Sequence, residues 1–173
     1  TDYVGGMFRH HSSEGGIKNV ALENRFFDTS LDLMYGSNQK DVSYNVDLGY
    51  QNQIYNWYGL PANFDSTLIN GINPQQTYGT ISLGGNVTLN ESILNKASLK
   101  YNHFSDASGS SENRFYAKPT VEFDVMDSAV KTNIIVDYVG GSFKNNYLNT
   151  NTTRVKYGFT NFGIIPSFVM QED

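Results

Sequence analysis

The 173-residue chain contains no cysteine, which excludes a disulfide framework and any thiolate-bound metal. No apolar run approaches the ~20 residues that a membrane-spanning helix needs; the longest lie around 163–170. Positive charge is sparse and scattered. Twelve Lys and Arg stand against 17 Asp and Glu, a net charge of −5, which argues against a nucleic-acid surface because phosphate binding needs clustered bases. Only four prolines interrupt the chain, so long extended segments are permitted.

What is present is aromatic and alternating. Tyr and Phe supply most of a 14% aromatic content, with Asn, Ser, Thr and Gly filling much of the remainder. Across residues 42–51, Val42, Tyr44, Val46, Leu48 and Tyr50 alternate with Ser43, Asn45, Asp47, Gly49 and Gln51. Period two means a strand with one apolar and one polar face. Strands in soluble domains usually run about 5–6 residues, whereas a tilted bilayer crossing takes about 9–11. Ten alternating residues fit the crossing.

The same pattern recurs along the chain. Residues 27–36, 81–89, 97–103, 114–125 and 132–138 alternate, 1–9 form a short glycine-rich strand, and 154–170 close the series. In that last stretch Val155, Tyr157 and Phe159 lie on one phase and Phe162, Ile164, Pro166 and Phe168 on the other, so a bulge is expected near Asn161. Pro119 and Pro166 are expected at bulges or strand ends. Polar, Gly-rich loops at 10–21, 58–77, 105–113 and 144–153 are expected to alternate with short turns at 36–41, 90–95 and 126–129. Long and short connections in alternation characterise outer-membrane barrels. The expectation is therefore all-β: over 1–173 an antiparallel transmembrane β-barrel domain of about eight up-and-down strands, or a contiguous eight-strand segment of a larger barrel, in a Gram-negative outer membrane.

The faces sort accordingly. Phe27 and Tyr35, or Tyr44 and Tyr50, bracket aliphatic centres as aromatic girdles do at membrane interfaces. The other face is expected to line a lumen with Asp28, Asp32, Asp47, Lys100, Arg114, Lys118, Glu122, Asp124, Lys131, Asp137 and Lys156. Charges of both signs stay hydrated or pair inside a lumen but are costly against lipid. The chain opens at Thr1 without Met or leader and closes on Gln171, Glu172 and Asp173 without a terminal aromatic, so a piece of a longer protein is expected.

The stretch His11, Ser12, Ser13, Glu14, Gly15, Gly16, Ile17, the run Asn56, Trp57, Tyr58, Gly59, Leu60, Pro61, and Leu83, Gly84, Gly85 together resemble barrel segments of TonB-dependent-receptor-like outer-membrane proteins of the Bacteroidota. The resemblance implies an outer-membrane location and uptake of a nutrient or chelate driven by a TonB-type inner-membrane energy transducer; outer-membrane lipid and other outer-membrane subunits are the further partners expected of a barrel. No plug domain or TonB box is visible in these residues.

Candidate chemistry is thin. His10, His11 and Glu14 invite a metal reading, but neighbouring histidines on a glycine-rich loop are commonly just solvated. His103 with Asp106 lacks an identifiable nucleophile, so no enzyme and no cofactor are expected. Tyr55, Trp57 and Tyr58 enter the longest loop; they suit either stacking on a ligand or an interfacial girdle. Two other classes fit the pattern: a non-transporting structural barrel, and a soluble extracellular β-sandwich that binds glycans.

Overall fold

The computed structural model describes residues 1–57, 59–69, 73–125, 128–145 and 153–170. Eight strands follow one another: β1 (Asp2–Ser13), β2 (Phe26–Asn38), β3 (Val42–Asn56), β4 (Gln75–Leu89), β5 (Leu94–Asp106), β6 (Ser111–Val125), β7 (Ser128–Asn145) and β8 (Thr153–Met170). A four-residue helix, α1 (Ser66–Ile69), sits in the β3–β4 connection, where the Asp65 carboxylate accepts hydrogen bonds from the Thr67 amide and hydroxyl at 2.9 and 2.7 Å. Those two bonds hold the Asp65 carboxyl below its ordinary value. The strands form one sheet in sequence order, every neighbour antiparallel. The sheet is open: β1 and β8 are its two edges and do not pair with each other.

Directly opposed residues share a face, so the register settles which side chains lie together. One rung of the first face runs Gly6, Leu33, Leu48, Leu83, Tyr101, Phe115, Tyr138, Thr160; the next runs Val4, Tyr35, Val46, Gly85, Leu99, Ala117, Val136, Phe162. The alternation read in residues 42–51 thus extends across the whole sheet as one apolar face. It is not covered. Val130 is the single buried hydrophobic residue among those described, while Leu48, Leu83 and Ile164 are 46%, 47% and 58% exposed. The chain exposes 12353 Å², against about 8,500 Å² expected for a closed globule of its 19.4 kDa. Such a surface belongs to a single layer without a core.

Four details depart from the sequence expectations. β1 runs on through His10, His11 and Ser12, because the start of β2 supplies partners as far as Ser13↔Phe26; Gly15 and Gly16, at φ of 100° and 117°, end it. The β5–β6 connection is only 107–110, closed by the Asp106 carboxylate accepting the Ser110 amide at 2.7 Å with Gly109 at φ 82°; long and short connections therefore do not alternate strictly. β8 carries no bulge near Asn161: its ladder with β7 is continuous from Asn145↔Thr153 to Ser128↔Met170. The register irregularity lies instead between Leu94 and Lys96, opposite β6. Pro166 is on edge strand β8, whereas Pro119 is inside β6, where the β6–β7 pairing passes from Ala117↔Val136 to Thr120↔Asn133.

Because β8 is unbroken, its first half faces the other way from the expectation. Val155, Tyr157 and Phe159 join the polar face, and Tyr157 lies across Gly141 of β7 to donate a hydrogen bond to Glu112 of β6. A β-carbon on Gly141 would collide with the Ser111 carbonyl oxygen and lie 2.8 Å from the Tyr157 hydroxyl, whereas one on Gly84 would meet nothing closer than the Asp47 carboxylate at 3.6 Å. Gly141→Ala is expected to destabilise the fold by about 1–3 kcal/mol and Gly84→Ala by less than about 0.5 kcal/mol, measured by denaturant titration of the two variants beside the parent.

Candidate functional site

The polar face of the sheet is the candidate site, and it is built by cross-strand pairing. On β1–β3 the Arg9 guanidinium donates to Asp32 at 3.4 Å, and Asp28 accepts from the side-chain amides of Gln51 and Gln53 at 2.9 and 3.1 Å. A relay then crosses β5 to β3: the Ser98 hydroxyl donates to Asn86 at 2.6 Å, Asn86 to Asn45 at 3.2 Å, and Asn45 to Asp47 at 3.0 Å. On β6–β7 Arg114 holds Asp137 with two parallel bonds of 3.0 and 2.7 Å, and Lys131 lies 3.3 Å from Glu122. Among the described residues no buried side-chain nitrogen or oxygen lacks a hydrogen-bond partner.

Of the residues expected on a charged face, all but Lys156 share this one, as their register shows: Asp28 and Asp32 on β2, Asp47 on β3, Lys100 on β5, Arg114, Lys118, Glu122 and Asp124 on β6, Lys131 and Asp137 on β7. Lys156 is a correction. It opposes Ser142 on the apolar face, one rung beyond Gly140 and Gly158, beside Arg154, whose guanidinium donates to Ser142 at 3.3 Å. The misplacement follows from the expected bulge at Asn161 that β8 does not have. Nor is the polar face polar throughout: at its β7–β8 margin it carries Val139, Phe159 and Ile165, the last two 64% and 52% exposed.

Two of the three aromatic candidates are described. Tyr55, on the polar face, stacks on Phe26 with ring centroids 6.2 Å apart and receives a 3.2 Å hydrogen bond from Gln53. Trp57 follows the end of β3, 59% exposed, its amide bonded to the Pro74 carbonyl at 2.9 Å; Tyr58 lies outside the described residues. Near them the two long connections are tied together, Ala21 bonding Leu60 at 2.9 Å and Ala62 bonding Asn19 at 3.1 Å, which gives the sheet a linked loop layer at one end.

The described histidine candidates are not brought together on a shared partner group. His10 and His11 are successive strand residues and point to opposite faces, His10 bonding Thr29 at 2.8 Å while His11 opposes Asp28. His103 bonds Asn113 at 2.8 Å on the apolar side, and Asp106 has the opposite phase on β5. The described residues contain no group of three His, Cys, Asp or Glu able to hold a metal. The arrangement can pair, hydrate and orient charged solutes.

Three members of the polar face escaped the sequence reading. Arg9 was hidden because glycines blur the faces of β1, and Glu112 because the segment 105–113 reads as a loop. Lys96 had a legible signal, since it shares the phase of Lys100 on β5. No protein-family model, curated protein or solved structure matches the chain.

Proposed function

We propose that the chain is part of the wall of a bacterial outer-membrane β-barrel that acts as a receptor or pore for solute uptake, its apolar face against lipid acyl chains and its polar face lining the passage. The observation that carries this reading is the uncovered apolar face. Apolar positions run from Val42 to Tyr50 on β3 and from Ile81 to Leu89 on β4, nine residues each, the length a tilted strand needs to cross an apolar band about 25 Å tall. Aromatic residues flank aliphatic ones as interfacial girdles do: Tyr101, Phe115 and Tyr138 share the upper rung, and Tyr35 pairs with Tyr44 below at 6.1 Å.

The band also slants. Its lower margin is at Val4 on β1, whose rung ends in Phe162, but on β8 it has moved on through Ile164 and Pro166 to Phe168. A level hydrocarbon layer crossed by tilted strands produces this drift, and tilt is what barrel closure requires. All eight strands lie in the one layer, so the described residues supply no second sheet for a sandwich. An unpaired strand edge in lipid costs several kcal/mol for each unsatisfied backbone group. β8 exposes such an edge over 18 residues, with Phe159 and Ile165 on one face and Phe162, Ile164 and Phe168 on the other. Further strands pairing with β1 and β8 would close the wall into a barrel wider than eight strands, and a wider barrel leaves an open lumen. The resemblance of its segments to TonB-dependent-receptor-like barrels points the same way.

Two outcomes follow. The full-length protein is expected in the detergent-extracted membrane fraction, with different gel migration before and after boiling; recovery from the aqueous fraction with unchanged migration rules the barrel out. Leu83→Arg, in the middle of the apolar face, is expected to cost about 2–4 kcal/mol in a bilayer. Ser82→Arg, next along β4 and facing Asp32 across Gly49, is expected to be tolerated. Comparable losses for the two in a lipid-refolding titration would show that the faces are not solvated differently.

A further inference from the structure

Three base–acid pairs cross strands on the polar face, Arg9–Asp32, Arg114–Asp137 and Lys131–Glu122, and one region of the face gathers bases without such pairs. Lys96 and Lys100 lie two rungs apart on β5, and Lys118 on β6 opposes Ser98 between them, diagonal to both. None of the three has a carboxylate within 4.0 Å among the described residues, although Arg9, Arg114 and Lys131 on the same face all do. Lys100 nevertheless flanks Gly84 opposite the Asp47 carboxylate, which leaves Lys96 and Lys118 as the two without an acidic neighbour across the strands. Like charges held at diagonal positions repel, so this cluster lowers stability unless something negative joins it.

A recess of about 360 Å³ opens there, within the range of small-molecule sites. Its lining includes Lys96, Lys118 and Lys131 with Ser98, Thr120 and Asn133, and no carboxylate-bearing residue. The hydrogen bonds turn the lining toward donation. The Asn133 side-chain oxygen is taken by the Thr120 hydroxyl at 2.8 Å, which leaves its amide NH2 to donate, beside ammonium groups that can only donate. The Ser98 hydroxyl proton is spent on Asn86 at 2.6 Å, so Ser98 positions the relay and is not a ligand group. Lys131 keeps Glu122 at 3.3 Å, which holds it at the rim; Lys96 and Lys118, from adjacent strands, are the two free charges aimed at one space.

We infer that this recess is a binding site for a small oxyanion, a phosphate or carboxylate group, held by Lys96 and Lys118 with the Asn133 amide as a third donor and Lys131 at the edge. The inference deepens the proposed function by naming the solute class as anionic, and rests on it for the role of the site in uptake. The site lies toward the β6–β7 turn end of the sheet, away from the linked loop layer, so a solute admitted at the loops would meet it late in its passage.

The test uses the full-length protein in whichever state it is obtained, detergent-solubilised or aqueous, with inorganic phosphate, acetate and a neutral sugar as probes in calorimetric titration. Phosphate is expected to bind, acetate more weakly and the sugar not at all. The double variant Lys96→Gln/Lys118→Gln is expected to weaken phosphate binding by about tenfold or more. Lys40→Gln, in the β2–β3 turn, is expected to leave it unchanged. Gel migration and circular dichroism of each variant report folding separately. A folded double variant that binds phosphate like the parent, or a folded parent that binds none, overturns the site. Because binding is read in either fraction, the barrel and the anion site can fail independently.

Discussion

A single layer of strands cannot bury both of its faces, and every other property of this chain depends on how that constraint is met. The backbone ladder is satisfied between neighbours along the sheet, so hydrogen bonding by itself sets no demand for a second layer. The side chains set it. Burying apolar area is worth roughly 25 cal/mol per Å², and the chain leaves about 12353 Å² exposed with Val130 alone buried among its described apolar side chains. In water such a sheet forfeits the main favourable contribution to folding. Against acyl chains the same face needs no protein partner, because the surrounding medium is already apolar.

In the proposed wall, with the apolar face against acyl chains, the polar face is left to water. Facing water, its cross-strand pairs between exposed charges contribute little individually. They do fix register: Arg9 to Asp32, Arg114 to Asp137 and Lys131 to Glu122 each tie neighbouring strands, so a one-residue slip would both break them and turn charge toward the apolar side. Lys96 and Lys118 differ from these pairs in sharing one recess with Lys131 and no lining carboxylate.

The strands whose apolar and polar residues alternate without exception, β3 and β4 above all, were legible in the sequence to their faces, because period two is a direct consequence of the pleat. Legibility failed where side chains of one type occur on both faces. Val155, Tyr157 and Phe159 look like a lipid face in isolation; only the continuous β7–β8 ladder and the gap left by Gly141 show that Tyr157 instead reaches inward to Glu112. Lys156 was misassigned by the same error. At β1 the difficulty was the reverse: Gly5 and Gly6 carry no side chain to reveal a phase, and the register with Met34 and Leu33 supplies it. The tight turn at 107–110 reads as a loop because its polar composition does not disclose that Asp106 closes it on Ser110. The grouping of Lys96, Lys118 and Lys131 was beyond the sequence for a different reason, since it depends on the register of three strands, one with an irregularity at Leu94 and Lys96.

The slant of the apolar band joins these points into one geometry. If strands stood upright in a membrane, the band would follow the rungs, and Val4 and Phe162 would mark the same margin. The margin instead slips from the Val4 rung to Phe168 between the two edges, so in the proposed membrane wall the rungs would be inclined to the membrane plane. An inclined rung cannot meet its own start after one turn around a barrel; it returns displaced, and that displacement is the shear that fixes tilt and diameter for a given number of strands. In the proposed barrel the edges β1 and β8 would not be joined by matching Val4 to Phe162. In the proposed wall an offset pairing of the two edges, or further strands between them, would preserve every backbone hydrogen bond in a medium that offers no substitute.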